Sequence, residues 1–205
     1  MKNLIAVAVL ALSSFASAAE WTIETNHATA GFTVKHLTVT SVTGTLGSVT
    51  GKLSYDEKNV DKSTLTASIE VKDLYTGNPK RDDHLKSPDF FDVAKHPTAT
   101  FTSTKIAAGA PNKLKVEGNL TMHGVTKPVS FEAELSGEVD HPMIPNAKAR
   151  AATASFTVNR DDFGLNWQSK ATDSYFVVGR EVKVDLNVEL VKMGAPAAKA
   201  APAKK

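Results

Sequence analysis

Apolar and polar residues alternate along most of the chain with a period of two, the mark of strands with one dry and one wet face. Beyond Trp21-Thr22-Ile23, Phe32, Val34 and His36 alternate with Thr33 and Lys35. Val49, Gly51, Leu53 and Tyr55 form the next apolar set, and Leu65, Ala67, Ile69 and Val71 another. Ala99, Phe101 and Ser103 follow, then Leu114, Val116, Gly118, Leu120 and Met122. The longest set is Val129, Phe131, Ala133, Leu135, Gly137 and Val139; Ala152 to Val158 and Val182 to Leu190 complete the pattern. About eight strands are predicted.

Turn signals of hairpin length separate most of these strands. Asp56 to Lys62 is polar, Ala107 to Asn112 contains Gly109 and Pro111, and His123-Gly124-Val125-Thr126 is a tight return. Pairing is therefore expected to be sequential and antiparallel. Two longer connections, 140–150 and 161–180, break the meander, and the second carries Phe163, Trp167, Tyr175 and Phe176. Aromatic residues in a long loop usually cover something.

The stretch from Leu74 to Pro97 interrupts the strand pattern. Asn78 before Pro79 and Ser87 before Pro88 are two helix-start signals, each an N-cap followed by proline at the first helical position. Asp82, Asp83 and Asp89 fall in the first turns, and His96-Pro97 marks the return to extended chain.

The fold class expected is all-β: an eight-stranded antiparallel barrel with a short helical cover after the strand ending near Leu74. Sequential hairpins lead to closure, which removes the edges a sandwich would have to protect. The apolar phase is rich in small residues: Gly51, Ala67, Ala99, Gly118, Ala133, Gly137, Ala152 and Ala154. An eight-stranded barrel has room either for its own side chains or for one small ligand. Slim side chains favour a cavity; the rival expectation is a filled core in which the alanines sit against Phe101 or Phe131.

Composition narrows this picture. The 205 residues are 41% hydrophobic with a formal net charge of +2, which suits a single domain. Lys2, the apolar run Leu4 to Leu12 and then Phe15-Ala16-Ser17-Ala18 have the organisation of an export signal. Residues 1–18 are expected to be removed on export and 19–191 to form the domain. The chain contains no cysteine, so the core alone must hold it together. Residues 192–205, rich in lysine, alanine and proline, are expected to be a disordered tail. With Lys2, Lys192, Lys199, Lys204 and Lys205 set aside, acidic residues outnumber basic ones. No basic stripe with interleaved aromatics suggests nucleic acid, and the few tail lysines support at most peripheral membrane contact. A monomer and a homodimer both remain open.

Six histidines are present, and the densest local set is His84, Asp92 and His96. That set lacks the His-x-x-x-His spacing of a helical metal site, so no metal or other cofactor is expected. Ser87, His84 and Asp82 match no nucleophile-elbow spacing. Arg81 and Arg160 lie beside Asp82, Asp83, Asp161 and Asp162. They either pin loops to the barrel rim through carboxylate pairs or, with His84, greet the polar head of a ligand. Phe90, Phe91 and Trp167 are expected at the cover.

With these motifs in place, the chain resembles the YceI-like family of lipocalin-like, polyisoprenoid-binding exported proteins. The likeness is carried by Phe32-Thr33-Val34-Lys35-His36, by Thr76-Gly77 with the run Arg81 to Asp92, and by His96-Pro97 with Phe101-Thr102-Ser103. It continues through Gly118 to Val129, Arg160-Asp161-Asp162-Phe163-Gly164 and Val178-Gly179, and so spans nearly all of residues 20–191.

The resemblance implies a lipocalin-like barrel whose apolar tunnel binds a long isoprenoid chain, such as a quinone tail or polyprenyl lipid. It also implies a periplasmic setting and no catalytic set; a link to envelope stress is a separate expectation. Cavity-lining candidates are Phe32, Val34, Leu65, Ile69 and Phe101, together with Leu120, Phe131, Leu135, Phe156 and Leu186. Two rivals are a metal-assisted lipid or ester hydrolase using His84, Asp92 and His96, and a solid-core interaction protein.

Overall fold

In the computed structural model, which describes residues 18–167, 170–172 and 175–194, the first two alternating patterns belong to one strand, β1 (Ala19–His36). A register break between Glu24 and Ala28 explains why they looked separate. It moves the buried phase from odd positions, Trp21 and Ile23, to even ones, Ala30 and Phe32. The chain continues through β2 (Val49–Tyr55), β3 (Thr64–Ile69), β4 (Ala99–Ala108), β5 (Lys113–Met122) and β6 (Val125–Leu135). The last two barrel strands are β7 (Ala147–Asn159) and β8 (Val178–Met193).

Each strand pairs antiparallel with its neighbour in sequence, and β8 pairs with both β7 and β1. The eight strands therefore close into an up-and-down, lipocalin-like barrel, as the hairpin spacing predicts. Main-chain pairing of β6 with β7 is confined to three residue pairs, Ala133 to Leu135 against Ala154 to Ala152. Phe131 and Phe156, stacked at 5.0 Å, bridge the interior beside that short seam. A two-residue turn joins β5 to β6: Met122 pairs with Val125, and His123 and Gly124 have φ of 52° and 74°. Positive φ at both turn positions suits the right-handed twist of a hairpin.

Three local expectations are corrected. Only the first of the two helix starts is used: α1 (Pro79–Lys86) is capped by Asn78, whose side chain accepts from Arg81 N at 3.2 Å. Ser87 instead ends that helix, its N–H and hydroxyl both donating to His84 O. The following turns then pass through Asp92 at φ 44°, which a helix cannot accommodate. Val71 lies in a 3-10 turn, Val71–Asp73, rather than in β3. β6 stops at Leu135, so Gly137 falls outside it, and Val139 is an exposed member of a two-residue strand beside β7.

At the ends of the chain, the expected export signal lies outside the described residues apart from Ala18, and the tail does so beyond Gly194. β8 runs through Lys192 to Met193, two residues past the expected domain end.

Candidate functional site

The inward phase of the strands encloses an apolar cavity of about 150 Å³. Leu65, Ile69, Phe101, Leu120, Phe131, Leu135, Phe156 and Leu186 line it, as the alternation predicts. Phe32 and Val34 do not: they line a second apolar space of about 80 Å³ beneath the cover, with Leu85, Phe90, Phe91 and Arg160. Leu46, Met122, Val158 and Val184 border both spaces and separate them.

Slim residues account for part of the hollow. Ala67, Ala99, Ala133, Ala152 and Ala154 line the larger space. The glycines do not enlarge it, because a Cβ on Gly51 would meet Ile23 and one on Gly118 would meet the Phe101 ring.

Three apolar lining residues fall outside the period-two alternation: Leu46, ahead of β2, Ile106 and Ile23. Ile106, fully buried, follows a register shift between Ser103 and Lys105 that moves the inward phase of β4 from odd to even positions. Ile23 lies ahead of the similar break in β1. In both cases the legible signal was an apolar residue out of phase with its strand.

The cover is built on α1. Asp82, buried, accepts from Thr76 N at 2.9 Å and Thr76 Oγ1 at 2.5 Å. Arg81 donates to Thr76 through Nε at 2.7 Å and through Nη2, to the carbonyl, at 2.9 Å. Its neighbour pattern suggested a carboxylate pair; in the fold it clamps the loop ahead of its own helix. The His84 ring stands edge-on to Phe90 and to Trp167, each at 5.1 Å, and Phe90 lies 5.3 Å from Trp167. His84 Nε2 is 2.9 Å from Asp89. Phe90 is buried and lines the smaller space, and the His84 and Trp167 rings pack against it.

Arg160 is buried beneath this cover. Its guanidinium donates to the carbonyls of Gly179 at 3.0 Å, Val178 at 3.2 Å and Leu165. Asp161 lies 3.4 Å away and itself pairs with Arg180 at 2.9 Å. Burial pushes the Arg160 pKa below its usual range, partly opposed by Asp161. Its donors thus hold the start of β8 against the loop after Phe163.

The residues of the hydrolase alternative are dispersed. His84 faces Asp89, Asp92 receives Lys95 Nζ at 2.7 Å, and the His96 ring packs on His123 at 5.0 Å. Ser87 Oγ donates to a carbonyl rather than to an imidazole. Among the described residues, no three His, Asp or Glu side chains converge as metal ligands.

Comparison with known proteins agrees with this architecture. The profile of the YceI-like domain matches residues 21–190. A UPF0312 protein of Vibrio cholerae serotype O1 is 34% identical over 196 residues, covering 93% of this chain and 98% of its own length. One from Pseudomonas putida is 33% identical, covering 86% and 88%. The solved YceI protein of Campylobacter jejuni superposes with a TM-score of 0.63 at 27% identity, over 76% of this chain and 87% of that one. A polyisoprenoid binding domain from Saccharophagus degradans shares the fold with a TM-score of 0.61 at 15% identity, over 87% and 99%. On the extent of these matches, the chain belongs to the YceI-like domain family.

Proposed function

We propose that the protein binds a polyisoprenoid or a similar long-chain amphiphile inside the barrel, as a non-catalytic carrier or store working in the periplasm after export. The observation that carries this reading is the closed barrel with an apolar cavity of about 150 Å³, whose lining includes only two polar residues, Thr100 and Thr153. Dry apolar cavities of that size take up small hydrocarbons, and each buried methylene contributes roughly 0.8 kcal/mol. Family membership and the Saccharophagus neighbour, a polyisoprenoid binding domain, support the ligand class.

Size decides how the chain must lie. A cavity of about 150 Å³ suits a group the size of benzene, so a long tail has to run on into the space under the cover. Of the side chains between the two, Met122 is unbranched and the most deformable. A tail that displaces it makes one continuous channel. Because few polar contacts are involved, selectivity for the chemistry of the tail is loose.

Native mass spectrometry of protein purified from cells provides the test. Co-purifying lipid, or stoichiometric uptake of a prenyl lipid on titration, is the expected outcome. Protein that is recovered empty and takes up no prenyl lipid would refute the reading.

A further inference from the structure

At the barrel end away from α1, the inward phase of the strands finishes on polar and aromatic side chains. Ile23, Leu53, Ala152 and Leu190 line the cavity. The next inward positions towards that end are Trp21, Tyr55, Arg150 and Lys192. Trp21 is fully buried, and the Arg150 side chain is only 9% exposed. The Arg150 guanidinium carbon lies 5.4 Å from the Trp21 ring centre and 5.6 Å from that of Tyr55. Lys192 Nζ lies 4.5 Å from the Trp21 ring. These four side chains form a floor one inward position beyond the residues that line the apolar cavity, without themselves lining it.

Two donors in that floor are orphaned. Ser136 O accepts from Arg150 Nε at 3.2 Å and Nη2 at 2.8 Å. Arg150 Nη1 and Trp21 Nε1 are buried and have no hydrogen-bond partner among the described residues. A buried donor left without an acceptor is costly, so the floor favours an occupant that brings one.

Charge sets the kind of acceptor. Glu138 pairs with Lys192 at 3.1 Å and lies 3.9 Å from Arg150 Nη1, while Glu57 lies 4.0 Å from the same nitrogen. Two cations face two carboxylates, so there is no surplus positive charge to hold an anion. The cover offers less to a polar head. Arg160 donates to three carbonyls there, Arg81 to Thr76, and His84 contacts Asp89.

We propose that the Trp21–Arg150 floor is a subsite for the polar end of the bound amphiphile. A neutral carbonyl oxygen, as in a quinone, amide or ester, accepts from Trp21 Nε1 and Arg150 Nη1 while the apolar chain extends past Ile23, Leu53 and Leu190 towards the cover. This rests on the cavity-binding reading and adds to it the chemistry of the ligand's end and its direction.

The chain has two tryptophans, one at each end of the barrel, which makes direction measurable. In W167F only the floor indole fluoresces, and the difference between the unsubstituted protein and W167F gives the signal of Trp167, packed on His84 and Phe90. Both proteins are titrated with a decyl-tailed ubiquinone analogue, whose ring quenches indoles that it touches. Diphenylhexatriene, a hydrocarbon with no oxygen, reports cavity binding alone. Quenching at saturation is expected to fall on Trp21 and largely spare Trp167. Arg150→Met is expected to weaken the quinone about tenfold and to change diphenylhexatriene binding by less than about twofold. Arg150→Lys, which keeps the cation without the guanidinium fork, supplies the same comparison if R150M does not fold.

Quenching concentrated on Trp167, or quinone affinity unchanged by the Arg150 substitution, overturns the subsite and assigns the two donors to water. Failure of the unsubstituted protein to take up either probe sinks cavity binding itself. Hydrocarbon uptake without the Trp21 signature removes the subsite alone.

Discussion

Phe101 illustrates how one side chain shapes the interior. Its ring occupies the space above Gly118, where an added Cβ would lie 2.6 Å from ring carbon Cε2 and 2.5 Å from Thr102 O. The ring is then in contact with Phe131 at 5.5 Å, and Phe131 stacks on Phe156. Gly118→Ala therefore drives backbone or ring from its place, and overpacking of this kind costs about 1–3 kcal/mol. Urea denaturation of the variant should show a loss in that range; unaltered stability would mean that the ring moves aside freely. Gly118 was read as slim lining, yet its smallness accommodates an aromatic ring rather than a ligand. That distinction lies in the partner residue, which alternation along a single strand does not identify.

At the scale of elements, α1 shows how a weak segment is held. An isolated helix of eight residues is far too short to be stable in water. The Asn78 cap, the clasp of Thr76 by Arg81 and Asp82, and the ring cluster around His84 hold it to the barrel. Asn78→Ala removes the acceptor for Arg81 N and costs about 1 kcal/mol. Amides of residues 81–86 should then exchange with deuterium about fivefold faster, while those of β7 and β8 keep their rate. Uniform acceleration across the barrel would show that the cap acts on global stability instead. The cap and the tight His123-Gly124 turn were both legible, because each depends on residue types a few positions apart. The second helix start is not used: Ser87 suits either end of a helix, and its donation to His84 O, with Asp92 N–H donating to Ser87 O, decides which end it serves.

For the molecule as a whole, closure is what turns alternating faces into a container. Ala133 and Ala154 are directly paired across the short seam between β6 and β7, and both line the larger cavity. Cross-strand Cβ atoms lie about 5 Å apart, so leucine at both positions projects into the hollow without disturbing the ladder. The double variant A133L/A154L should keep or raise its melting temperature, since cavity filling commonly adds about 0.5–2 kcal/mol. Its uptake of prenyl lipid should fall about tenfold or more. A stable variant with undiminished uptake would place the ligand somewhere other than in this cavity.

The alternation, the hairpin spacing and the run of small inward residues determined on their own that eight strands follow one another around a ring. Each is a short-range property, set by a side-chain period of two and by turn chemistry. Only the tertiary structure decided where that period slips, at Glu24 to Ala28 and at Ser103 to Lys105. With those slips it decided that Trp21, Ile23 and Ile106 face inward. The division of the hollow by Met122 and its neighbours, and the meeting of Trp21 with Arg150, arise between strands remote in sequence. Such contacts are settled by the way the barrel packs, and no local pattern encodes them.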